Sequence, residues 1–130
     1  MNDKYIIASD GCRNITEDGK VTGYEFAIRI PYYQGVPFSQ VKYIKVKMDG
    51  EDVDPADISV FAVTGEEFRL PEIITVSLYY WEYQVPLRVR VYKEGGLAPG
   101  KHTLYVKPSI DVIYAPDGFV AEVSKDFEIG

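Results

Sequence analysis

Val41-Lys42-Tyr43-Ile44-Lys45-Val46-Lys47-Met48-Asp49-Gly50 is the stretch on which the fold reading turns. Ile44, Val46 and Met48 fall on one side of an extended chain, and Tyr43, Lys45 and Lys47 on the other, because successive strand side chains point to opposite faces. Asp49-Gly50 follows at once, and Asp-Gly readily takes the positive φ that a tight hairpin demands. The stretch predicts a strand with one dry face that ends in a two-residue turn.

The same pattern recurs on both sides of it. Val21 to Ile30 sets Tyr24, Phe26, Ile28 and Ile30 against Glu25, Ala27 and Arg29. Val85 to Tyr92 sets Leu87, Val89 and Val91 against Arg88, Arg90 and Tyr92. His102 to Tyr114 places Leu104, Val106, Ile110 and Val112 opposite Thr103, Tyr105 and Lys107. Shorter strands are predicted over Tyr5 to Ala8, Arg13 to Thr16, Ile58 to Val63, Glu67 to Leu70, Ile73 to Tyr80 and Phe119 to Ile129. Between them lie Asp18-Gly19, the Glu94 to Gly100 segment and Pro116-Asp117-Gly118, all turn chemistry. No run of ten residues carries apolar positions at helical spacing without a breaker. The reading is all-β, an antiparallel β-sandwich of one domain over residues 1–130, with closure into a barrel as its rival.

Eleven Tyr, six Phe and one Trp in 130 residues fit half-buried pleated surfaces and interfaces. The net charge of −6 argues against nucleic acid, whose phosphates call for a basic footprint. No apolar run reaches membrane-spanning length, and the first ten residues lack a signal-peptide core. A single cysteine, Cys12, cannot form an internal disulfide, so a cytoplasmic location is expected and the Asn14-Ile15-Thr16 sequon carries no meaning.

Catalytic candidates are few. His102 is the only histidine and has no second histidine with which to share a metal. Cys12 stands beside Arg13 but lacks a Cys-x-x-Cys partner and a nearby base. Asp49, Glu51, Asp52, Asp54 and Asp57 do not match a calcium loop, which closes with a bidentate glutamate, and a solvated hairpin tip accounts for them. There is no nucleophile elbow, phosphate-cradling loop or dinucleotide fingerprint. No catalytic, cofactor-binding or metal residue is expected on this chain.

Two aromatic segments stand apart. Tyr79-Tyr80-Trp81-Glu82-Tyr83 carries more rings than one dry face can bury. Arg29 to Ser39 holds Tyr32, Tyr33, Val36 and Phe38 on an extended connector that Pro31 and Pro37 stiffen and hold ready to dock. Tyr32, Tyr33, Val36, Phe38 and Trp81 are therefore the expected partner interface. A second candidate surface combines Lys45, Lys47, Arg88, Arg90 and Lys107 with Tyr43, Tyr92 and Tyr105.

The run Gly23-Tyr24-Glu25-Phe26-x-Ile28-Arg29-Ile30-Pro31-Tyr32-Tyr33-Gln34-Gly35-Val36-Pro37 resembles the beta (small) subunit of bacterial C-glycoside deglycosidases. Val46 to Val53 with Asp57-Ile58, then Trp81-Glu82, then Gly95-Gly96-Leu97-Ala98-Pro99-Gly100-Lys101-His102 extend the likeness over most of the chain. The resemblance implies a β-sandwich subunit of a hetero-oligomeric carbon–carbon lyase. Its alpha subunit would be a TIM barrel of the sugar isomerase/epimerase type that holds a divalent metal, Mn2+, and a histidine base. The complex would separate a 3-oxo-glucosyl group from an aromatic, flavonoid-type aglycone, and this chain would stabilise or shape the catalytic partner. From the residues alone, a free-standing carbohydrate-binding sandwich that stacks sugars on Tyr79, Trp81 or Tyr83 stays open, as does a self-assembling structural domain.

Overall fold

The computed structural model describes residues 6–32, 34–83, 85–112 and 115–130. Among them run twelve strands: β1 (Arg13–Glu17), β2 (Lys20–Ile28), β3 (Val36–Pro37), β4 (Val41–Met48), β5 (Glu51–Asp52), β6 (Ile58–Phe61), β7 (Glu67–Arg69), β8 (Tyr80–Trp81), β9 (Leu87–Tyr92), β10 (Gly100–Val112), β11 (Ala115–Val120) and β12 (Val123–Ile129). One sheet has the order β1-β2-β9-β6-β7; a second has β11-β10-β4-β5, with β12 also on β10; β3 and β8 form a ribbon of their own. Neither larger sheet closes on itself, so the barrel alternative falls away.

The period-two faces explain why the sheets stack. Tyr24, Phe26 and Ile28 of β2, Ile58 and Val60 of β6, and Leu87, Val89 and Val91 of β9 are buried. So are Ile44, Val46 and Met48 of β4 and Leu104, Val106 and Ile110 of β10, and all of these join one apolar cluster. Each such side chain contributes about 1.5–3 kcal/mol on leaving water, which makes the inter-sheet layer the main source of stability. The Asp-Gly turns behave as the sequence predicts: Asp18 and Asp49 take φ of 51° and 54°, followed by Gly19 at 80° and Gly50 at 83°.

β10 is the spine of the second sheet. Its first half, Gly100 to Val106, pairs with β12, and its last part, from Ser109, pairs with β11. Pro108, which has no N–H to give a ladder, sits where one neighbour gives way to the next. The turn before β10 is clamped to β1: Asn14 Nδ2 donates to the Leu97 carbonyl at 2.9 Å, and Leu97 N donates back to Asn14 Oδ1 at 2.8 Å. Gly96 allows this close approach, since a Cβ there would lie 2.5 Å from Asn14 Oδ1.

Three stretches depart from expectation. Leu70–Thr75 is a 3-10 turn, and of the strand predicted over Ile73 to Tyr80 only Tyr80 is in a strand, β8, which takes in Trp81 beyond the predicted end. Pro71 is the cause, because it fits the start of a helical turn but cannot donate to a sheet. Phe119 to Ile129 divides at Ala121-Glu122 into β11 and β12. Pro116-Asp117-Gly118 lies within β11 rather than reversing the chain. Tyr5 and Tyr114, the ends of two predicted strands, lie outside the described residues. No described helix is long and apolar enough to cross a membrane.

Candidate interaction surface

The two aromatic segments find each other. Val36 pairs with Trp81 and Pro37 with Tyr80 in the β3–β8 ribbon, and Phe38 N donates to the Tyr79 carbonyl at 2.8 Å. Phe68 then bridges them, with its ring centroid 5.9 Å from Phe38, edge to face, and 5.1 Å from Tyr79. The consequence corrects the expected interface. Tyr32, Val36, Phe38 and Trp81 are all buried, Trp81 to 1% exposure, in this chain's own core. They cap the sandwich instead of waiting for a partner, and Tyr33 lies outside the described residues. Trp81 also has no free ring face on which a sugar could stack, which removes the chief support for a carbohydrate-binding platform. The rings that the block leaves exposed are those of Tyr80 and Tyr83, at 47% and 46%.

The outer face of the first sheet is more organised than a solvated strand surface. Cross-strand register aligns Arg13, Glu25, Arg90, Ser59 and Arg69 in one row, and Ala27, Arg88, Phe61 and Glu67 in the next. Phe61 therefore points away from the core, yet it is buried, because Arg88 and Arg90 lie over its ring at 4.1 and 4.8 Å from the centroid. Glu25 is only 4% exposed and receives three guanidiniums. Arg90 Nη2 meets its Oε2 at 2.9 Å, while Arg13 and Arg88 each approach Oε1 at 3.4 Å. At the far edge Arg69 lies 4.6 Å from the Tyr92 ring centroid, and the Tyr92 hydroxyl donates to Glu67.

Beside this face opens a cleft lined by Phe61, Val63, Tyr80, Val85, Pro86 and Arg88, with Trp81 also on its wall. Val63, Tyr80 and Val85 are all exposed. The Trp81 indole N–H is buried and has no hydrogen-bond partner among the described residues.

The second candidate surface splits in two. Arg88, Arg90 and Tyr92 belong to β9 of the first sheet, whereas Lys45, Lys47, Lys107, Tyr43 and Tyr105 lie on β4 and β10 of the second. On the second sheet Lys45 stands opposite Lys107, and Lys47 lies 5.5 Å from the Tyr105 ring centroid. The sequence could not separate these groups because alternation shows a side chain's parity and not its sheet. Phe61 and Glu25 escaped notice for a related reason. Phe61 shares parity with Ser59 and Glu25 with Ala27, and an apolar ring in a polar register was the one available signal.

The remaining candidates are satisfied structurally. His102 is 12% exposed and stacks on Phe127, with ring centroids 5.7 Å apart. Its Nδ1 lies 2.7 Å from Asp49 Oδ2 and its Nε2 lies 2.7 Å from the Ala98 carbonyl. Both neighbours only accept, so the ring must carry two protons to satisfy both. The Ala98 carbonyl and the Asp49 carboxylate accordingly raise its pKa. Burial pushes the Cys12 thiol up to about 12, far from the thiolate that reactive cysteines need. Asp54 caps a 3-10 turn by accepting from Ala56 N at 2.9 Å. Among the described residues no three His, Cys, Asp or Glu side chains converge to hold a metal.

Residues 2–114 match the family model described as "C-glycoside deglycosidase beta subunit". The chain belongs to that family. A C-glycoside deglycosidase beta subunit from Eubacterium cellulosolvens is 34% identical to it over 103 residues, 78% of this chain and 69% of the relative. A 3'-dehydrocarminate deglycosidase beta subunit from a Microbacterium species is 36% identical over 63 residues, 46% of this chain and 47% of that relative. The region matched by the C-glycoside deglycosidase beta subunit model takes in the Glu25 row, the Phe61 stack and the apolar cleft.

Proposed function

We propose that the chain is the non-catalytic beta subunit of a cytoplasmic complex that cleaves the C–C bond between a 3-oxo-glucosyl group and an aromatic, flavonoid-type aglycone. The observation that carries this reading is the family match over residues 2–114. The chemistry is consistent with a division of labour. A ketone at C3 of the sugar acidifies the C2 proton, and a base removes it. The C1–aryl bond then breaks as a C1–C2 double bond forms, and the aryl carbon takes up a proton as the aglycone leaves. A divalent metal, expected as Mn2+ on the alpha subunit, would supply Lewis-acid stabilisation of the enolate. The described residues of this chain offer no converging ligand set for it. Its one histidine is held between Asp49 and the Ala98 carbonyl, with neither ring nitrogen free to act as a base.

The chain's contribution is then to bind and shape a catalytic alpha subunit of the sugar isomerase/epimerase TIM-barrel type. Co-expression with such an alpha subunit from the same genome, followed by mass measurement of the purified species, tests this. A defined hetero-oligomer is expected, and two chains that elute separately at micromolar concentration would contradict it.

A further inference from the structure

We propose that the partner subunit docks on the outer face of β9 and β6 and into the adjoining cleft, presenting an apolar side chain to Val63, Tyr80 and Val85 and a carboxylate to Arg88 and Arg13. The proposal rests on the beta-subunit reading and names the surface and its chemistry.

Charge is the first argument. Arg13, Arg69, Arg88 and Arg90 face three carboxylates, Glu17, Glu25 and Glu67, so this patch is cationic on a chain whose net charge is −6. The surplus is also unevenly held. Arg90 takes Glu25 Oε2 at 2.9 Å and is 16% exposed. Arg13 and Arg88 share the other oxygen at 3.4 Å each and are 75% and 49% exposed. A guanidinium has five N–H donors, so both keep donors directed at solvent, and a planar fork of this kind suits a second carboxylate.

The apolar neighbourhood is the second argument. Seven large hydrophobic side chains are exposed among the described residues, and Val63, Tyr80 and Val85 line this one cleft. Phe61 connects the cleft to the charged row, since Arg88 lies on its ring. The stack fixes the Arg88 plane before any partner arrives, and less side-chain entropy is lost on docking. Interface energy concentrates in such Arg and Tyr anchors set beside apolar pockets. The cleft around Val41, Ile44, Ile73 and Ile74 is the rival apolar site; of its residues only Ile74 is a strongly exposed hydrophobic, and it has no guanidinium.

The test measures affinity of the full-length chain for its alpha subunit by calorimetry, with the wild type and with Arg88→Glu, Arg13→Glu, Val85→Glu and Ile74→Glu. Arg13 and Val85 are exposed, so their variants remain informative if Arg88→Glu disturbs the fold through Glu25. At least tenfold weaker binding is expected for Arg13→Glu and Val85→Glu, with wild-type affinity for Ile74→Glu. Wild-type binding that survives both Arg13→Glu and Val85→Glu unchanged, or falls instead with Ile74→Glu, overturns the location while leaving the beta-subunit reading intact. A wild-type chain that dimerises with itself through this face, and loses the dimer in Val85→Glu, overturns the assigned occupant. A wild-type chain that never binds the alpha subunit overturns the functional reading and this inference with it.

Discussion

The Arg88 guanidinium lies 4.1 Å from the ring centroid of Phe61, on the side of the sheet that faces away from the core. An apolar ring on an outer face would ordinarily remain wet. Here two arginine side chains cover it, and their charges are gathered by the buried carboxylate of Glu25. A double-mutant cycle with Arg88→Ala and Phe61→Ala should give a coupling free energy of about 0.5–1 kcal/mol, read from urea midpoints. A coupling of zero within error would make the stack incidental.

Glu25→Gln keeps the shape of the side chain but leaves three guanidiniums without their common charge. The better-covered Arg90 contact dominates, since exposed pairs such as Arg13–Glu25 contribute little. A loss of about 2 kcal/mol is expected, in line with hydrogen bonds to charged groups. Chemical denaturation of the isolated chain measures it, and an unchanged midpoint would refute the bridging role.

Trp81→Ala should destabilise the isolated chain by about 3–5 kcal/mol, the cost of emptying a buried aromatic site. Trp81→Phe should cost clearly less, because it also removes an indole N–H that has no partner. Thermal unfolding of both variants without any partner decides the matter. If Trp81→Ala melts like the wild type, Trp81 is not a core residue.

His102 links stability to pH. Its folded pKa is raised by the Ala98 carbonyl and the Asp49 carboxylate, which outweigh the opposing effects of desolvation and of Lys93. The stabilising contribution is therefore fully present below the unfolded value of about 6.5 and is lost as pH rises through the folded value. Asp49 is held low chiefly by the His102 hydrogen bond, so its share persists above the ordinary carboxylate range and fades only as pH falls through its lowered value. NMR titration of the single imidazole should place its midpoint above about 6.5. The wild type should also lose more stability between pH 6 and 8 than His102→Gln does. A midpoint below the ordinary value would mean that the two-acceptor cradle does not form in solution.

Much of the fold was legible because alternation is a local signal. Ile44, Val46 and Met48 announce a buried face, and Asp49-Gly50 announces its turn, without knowledge of any distant residue. The candidate surface was less legible. Trp81 and Phe38 read as surplus rings because the sequence gives no hint that β3 and β8 pair and cap the core with both. Arg88 and Lys45 read as one basic surface because parity is blind to which sheet a strand joins. The Glu25 cluster depends on β1, β2 and β9 lying side by side, a matter of topology that no local pattern encodes.

Turnover of a 3-oxo C-glucoside by this chain alone, by the alpha subunit alone and by the two together tests the central claim most directly. No aglycone release is expected from this chain alone at any concentration. The alpha subunit should release it, faster or more durably as this chain is added to saturation, with the gain lost in Val85→Glu. Aglycone release by this chain alone, or an alpha subunit whose activity and thermal stability do not change at saturation, would contradict the account.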